Sequence, residues 1–274
     1  MPLAWARSGV TLVALTAMKR STHRIFGTFW TVNWALLATL VASFSVLGQG
    51  AGIPGGELGY NAAMAKLFAD VPYFSADVET TLTNLTDKTR LSIPMRMHKR
   101  QDQLRIEVDF VKLKGTGLAM QGLAAMQNIG MARMTSLIDP KQKGMTVLFP
   151  DLKAYSKVSM SEADLPEDGF KVSKKAAGKE TVNGQACMRQ KVTLTSTDGQ
   201  KVEATTWEAT ALGNFPIRML FQQKEGSMNM AFRDVVLQAP ADDLFKVPTD
   251  HKSFDSMSSL MQEAMTRAIT APRK

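Results

Sequence analysis

The feature that most constrains this chain is a two-residue alternation of apolar and polar side chains. Leu91, Ile93, Met95 and Met97 alternate with Ser92, Pro94, Arg96 and His98, and Leu104, Ile106, Val108 and Phe110 alternate with Arg105, Glu107 and Asp109. Successive side chains on a strand point to opposite faces, so each run has one dry face and one wet face. The polar segment 99–103 between them makes the two runs an antiparallel hairpin. Three more hairpins follow: residues 131–138 with 145–149, 186–195 with 201–209 across Asp198-Gly199, and 215–222 with 228–237. In the last, Ile217, Met219 and Phe221 face Met228, Met230 and Phe232. Strands near 73–83 and 154–160 bring the total to about ten. Short turns and no alternating helices predict an antiparallel meander and exclude a doubly wound parallel sheet. Pro94 lacks a donor, so its strand is expected at an edge or with a bulge.

Two helices and a flap complete the outline. A short helix is expected after Asn61, ending before Asp70-Val71-Pro72. A second runs from Ser256 to Ile269, with Met257, Leu260, Met261, Ala264, Met265 and Ala268 on one face. The uncharged segment 115–130, rich in methionine, alanine and glycine, suits a flap or weak helix over an apolar surface. Beyond residue 50 the chain carries 16 methionines but one tryptophan, Trp207. Methionine is flexible and polarisable and packs against irregular apolar shapes. The candidate apolar lining is therefore Met95, Met97, Ile106, Val108, Met120, Met126, Val147, Phe149, Ile217, Met219, Met230 and Phe232. The plain alternative is that these residues fill a core.

The first fifty residues read as a targeting segment. Lys19, Arg20 and Arg24 form a basic stretch, Trp34 to Leu47 an apolar one, and small residues follow. Met18 then becomes a candidate start, with residues 1–17 an upstream extension. The rival reading is a retained anchor, because the uncharged run 25–56 is long enough to span a bilayer. Residues 51–59 read as a linker, 60–255 as the β domain and 256–274 as the terminal amphipathic helix. The localisation expected is periplasmic or extracellular.

The segment 1–50 holds four basic residues and no acid, so half of the formal charge of +8 belongs to it. The remaining lysines are scattered without aromatic interleaving and predict a mixed solvated surface, with no nucleic-acid partner. One cysteine, Cys187, excludes an internal disulfide and reads as a small buried residue. His98 and His251 lie far apart and read as solvated. No nucleophile elbow, phosphate loop, dinucleotide fingerprint or zinc motif is present. An enzyme is not expected, and neither a metal nor a cofactor.

Several short stretches carry a resemblance. They are 178–187 (GKETVNGQAC), Asp198-Gly199, Trp207-Glu208-Ala209, 212–217 (LGNFPI), 244–248 (LFKVP) and 147–155 (VLFPDLKAY). Together they resemble exported bacterial domains of unknown function related to the outer-membrane lipoprotein carrier (LolA-like) superfamily. The resemblance covers roughly residues 60–255 and rests on turn and strand signatures. It implies a mainly β, curved, incompletely closed antiparallel β-barrel whose apolar concave face is covered by the two helices. In the carriers that face accepts acyl chains, so the resemblance implies a non-enzymatic carrier for a lipid, a lipoprotein acyl chain or another apolar molecule. The other expectation is a structural or interaction module whose barrel is filled by its own side chains.

Overall fold

The fold is that of a computed structural model, which describes residues 66–270 except 86–87, 117, 160–169, 197–198, 200 and 223–225. The targeting segment, the linker and most of the first expected helix lie outside the described residues. Of that helix, Lys66 and Leu67 are described as helical.

Thirteen strands form one sheet: β1 (Tyr73–Asn84), β2 (Arg90–Arg100), β3 (Gln103–Asp109), β4 (Lys114–Gly115), β5 (Arg133–Asp139), β6 (Gly144–Phe149), β7 (Ala154–Ser159), β8 (Phe170–Val182), β9 (Gln185–Ser196), β10 (Lys201–Ala209), β11 (Phe215–Gln222), β12 (Gly226–Val236) and β13 (Lys252–Phe254). Their order is β13-β7-β6-β5-β3-β2-β1-β12-β11-β10-β9-β8, with β4 beside β2. The sheet is two meanders joined at a seam, where β1 pairs antiparallel with β12 from Ser75–Val236 to Asn84–Gly226. It is curved and not closed, since its two ends, β13 and β8, do not pair with each other.

Among the described residues the count of about ten is corrected to thirteen, and the three additional strands were hidden for two reasons, shortness and a lost alternation. β4 has two residues and β13 has three, the latter pairing parallel with β7. β8 reads FKVSKKAAGKETV, with lysines at both parities. It is an edge strand, and lysines on an edge discourage pairing with another chain while erasing the alternation. The flap segment is a helix, α1 (Leu118–Asn128), and the terminal helix is α2 (Met257–Thr270). For Pro94 the edge alternative is corrected, because β2 is an interior strand. Pro94 falls between the β3 register, which ends at Met95, and the β4 register, which ends at Ser92. Its missing N–H therefore sits where the ladder on that side is already interrupted.

The hairpin links reuse one device. Pro140–Gln142 and Pro150–Leu152 are single 3-10 turns, followed by Lys143 and Lys153 in the left-handed region at φ 48°. Thr210–Leu212 is followed the same way by Gly213. Asn183 and Gly184 between β8 and β9 both have positive φ, as a two-residue hairpin turn with the twist of its strands requires.

After β12 the chain crosses the polar face as a strap, residues 237–251. Arg100 donates to the Pro240 carbonyl at 2.9 Å and pairs with Asp242 at 2.5 Å, and Arg105 donates to the Leu244 carbonyl at 2.6 Å. The strap ends in β13 beside β7, and the chain then passes to the opposite face as α2, where Leu260, Met261 and Ala264 are buried.

Candidate functional site

One face of the sheet is apolar across nearly its whole width, and register explains why. Ala76, Met97, Ile106, Ser136, Val147 and Ser156 are successive partners on six adjacent strands. On the other side of the seam Val78 pairs with Phe232, Thr80 with Met230, and Met230 with Met219. The alternation read from each strand thus adds up to one continuous surface.

The structure divides the candidate lining into two clusters. Met97, Ile217, Met219, Met230 and Phe232 pack together, with Met95 and Ile106 against them. Met126, Val147 and Phe149 belong to a second cluster, with Met120 against it. Val108 pairs with Met95 of the first and Met134 of the second, and lies at the border. Met97, Phe149 and Met219 are 0% exposed, so both clusters are closed surfaces.

Their covers differ. The first cluster is built almost entirely from the sheet, with Leu67 and Phe68 on top. Phe68, Phe74, Phe215 and Phe232 form an aromatic knot there, with ring centroids 4.9 to 5.6 Å apart. Sequence reasoning missed this knot, because its members come from four separate segments. The second cluster is covered by α1 and α2. Besides Met120 and Met126 it holds Met131, Met134, Met145, Met257 and Met261. Gly122 in the middle of α1 faces open space, and α1 has no acidic residue in its first turn and no basic one in its last. It therefore lacks charges that would favour the helix dipole, and its glycine lowers helix propensity.

Polar groups also interrupt the apolar face. Glu208, 7% exposed, accepts from Lys174 Nζ at 2.9 Å and from Thr206 Oγ1 at 3.4 Å. Ser156 Oγ, on a residue 0% exposed, has no hydrogen-bond partner among the described residues.

On the polar face, a groove of about 680 Å³ runs from Arg233 on β12 to Arg133 on β5. Of the candidate lining, Met95 and Val108 border it. Its charges are paired: Arg96 with Asp77 at 3.0 Å, Arg105 with Glu107 at 2.6 Å, Lys112 with Asp109 at 3.5 Å, Arg233 with Glu79 at 3.9 Å, and Arg133 with Asp151. A smaller cavity of about 400 Å³ lies at the ends of β5–β7, bordered by Phe245 and Val247 of the strap.

The histidines correct the expectation of solvated side chains. His98 is 6% exposed and its Nδ1 lies 2.7 Å from Ser75 Oγ. Burial pushes its pKa below the usual histidine value, with the Arg96 and Arg105 charges acting in the same direction and Glu107 and Asp77 opposing. The His251 side chain is 8% exposed and pairs with Asp250 at 2.8 Å. Cys187 is buried as expected, and burial pushes its thiol pKa up. Among the described residues no group of three or more metal-ligating side chains converges, and no helix is long and apolar enough to cross a membrane.

No family model matches the chain, and no curated protein matches it. Solved structures do. A LolA superfamily protein from Nitrosomonas europaea is 9% identical, with 69% of this chain and 97% of that one covered at a TM-score of 0.37. The lipoprotein LppX from Mycobacterium tuberculosis is 14% identical, with 66% and 98% covered and a TM-score of 0.38. LprF from Mycobacterium bovis is 13% identical, with 74% and 100% covered and a TM-score of 0.33.

Proposed function

We propose that the chain is an exported, non-enzymatic binding protein of the cell envelope that holds an apolar ligand, a lipid or a lipoprotein acyl chain, against the apolar face of its sheet. The observation that carries this reading is the second cluster. It is an apolar sheet surface closed by two helices and not by a second sheet, and of its seven methionines Met134 and Met145 lie on strands and four on the two helices. Methionine side chains re-pack at low cost around an incoming chain. α1 is the element best suited to yield, because it lacks end charges that would favour the helix dipole and its central glycine leaves it dependent on the packing of Leu123 and Met126. A closed apolar face fits such a role, since a large exposed apolar patch would promote aggregation. The test is a titration with saturated fatty acids of increasing length. Affinity rises by roughly 0.8 kcal/mol per buried methylene until the site is full. Equal affinity at all lengths, or none, rejects the reading.

A second reading, a structural or interaction module with a self-filled core, is favoured by the complete burial of Met97, Met219 and Phe149. It predicts no ligand series at all, and a loss of about 2–5 kcal/mol for Met219→Ala.

A further inference from the structure

We propose that the β8–β9–β10 corner of the polar face is a docking surface for an anionic lipid bilayer. Register places four lysines there. Lys171 and Lys201 both flank Thr195, and Lys175 sits directly opposite Lys191. Directly opposed residues on neighbouring strands have Cβ atoms about 5 Å apart, and like charges in that position repel. All four lysines are exposed. None has an ion-pair partner among the described residues, whereas the basic side chains of the neighbouring groove all do. Glu203, opposite Thr193, is the one acid described within this lattice. A repulsive pair kept at a sheet corner, in a molecule whose polar-face groove has all its charges paired, points to an anionic partner.

Three observations favour a bilayer over another polyanion. The charges belong to lysine, a flexible point charge, and not to the planar fork that reads a single phosphate in fixed geometry. The lattice lies on a sheet surface at the rim, since among the described residues β8 has no strand beyond it. The nearby aromatic ring, Trp207, is 6% exposed, lies under Arg218 at 4.4 Å and donates its indole N–H to Glu180 at 2.9 Å, so it offers no stacking platform for bases. A bilayer brings mobile headgroups to a surface of this kind without requiring a matching groove. The inference does not depend on the ligand proposed above.

Each lysine held near an anionic surface strengthens binding about fivefold, equivalent to about 1 kcal/mol. The experiment measures partition of the full chain onto vesicles of equal parts phosphatidylglycerol and phosphatidylcholine, with pure phosphatidylcholine vesicles as the reference. The expected result is an excess on the charged vesicles that falls about 25-fold in Lys175→Gln/Lys191→Gln, and further when Lys171→Gln and Lys201→Gln are added. A control of equal charge, Lys88→Gln/Lys143→Gln, keeps most of the excess. Thermal melts of the double variant match wild type or exceed it, because a repulsive pair has been removed. Equal partition on the two vesicle types overturns the proposal, as does an equal loss in control and patch variants. It is also overturned by loss of binding to duplex DNA or polyglutamate with vesicle binding intact. Vesicle binding that emerges only when Glu162, Asp164, Glu167 and Asp168 are replaced by their amides would assign the patch to the chain's own sequence between β7 and β8, and would likewise overturn it.

Discussion

His98 lies beneath the polar face with its ring bonded to Ser75, and it is held neutral by burial. The unfolded chain protonates a histidine near pH 6.5, whereas the folded chain does so only at lower pH. Between those two values the unfolded state binds more protons, so stability falls as pH drops from about 6.5 through the lowered folded value. Urea midpoints recorded from pH 7.5 to 5 should decline in wild type and decline less in His98→Gln. Parallel curves for the two proteins would contradict the assignment. Ser156 allows a second residue-scale test. A buried hydroxyl without a partner costs stability, so Ser156→Ala should be neutral or raise stability by about 1 kcal/mol. A loss of more than that would show that the hydroxyl is satisfied. Gly226 has the opposite character, because a Cβ there would lie 2.4 Å from the Thr83 carbonyl oxygen at the β1–β12 seam. Gly226→Ala should destabilise the fold by about 1–3 kcal/mol in denaturant melts.

At the scale of elements, the legible parts were those with a clean period. The hairpins β2–β3, β9–β10 and β11–β12 repeat a two-residue alternation, β5–β6 is marked by its Asp-Pro turn, and each appears within a few residues of its expected bounds. β8 was illegible because an edge strand exposes its backbone on one side and carries lysines on both faces. The strap was illegible for a different reason. Residues 237–251 follow no period, and the hydrogen bonds from Arg100 and Arg105 that hold the strap reach across about 140 residues of sequence. The candidate site was half legible. Alternation identified which methionines share a face, but the division into two clusters depends on where α1, α2 and the Phe68 segment land. α1 supplies the element-scale prediction. Gly122→Ala adds a methyl group into open space and removes helix-weakening flexibility, so it should raise the melting temperature modestly, by the equivalent of about 0.5–1 kcal/mol. If α1 is the element that yields to ligand, the same variant should slow uptake of a fluorescent fatty acid. Faster uptake with a higher melting temperature would place the yielding element elsewhere.

At the scale of the whole molecule, two meanders share one apolar face, and the chain wraps the β7–β13 end of the sheet from the strap to α2. Docking of the strap on the polar face and closure of the second cluster on the apolar face are therefore consecutive parts of one segment. This architecture keeps an apolar sheet surface dry with helices that are not part of the sheet and that supply four of the cluster's seven methionines. In the proposed function this surface exchanges its helical cover for an acyl chain. The most direct measurement is titration calorimetry of the chain with saturated fatty acids from eight to sixteen carbons, roughly the range over which added methylenes are counted. The account predicts binding that strengthens by about 0.8 kcal/mol per methylene and then levels off, with a negative heat-capacity change from apolar burial. Undetectable heats at every length, together with unchanged melting temperatures, would contradict it and leave a molecule whose methionines are core alone.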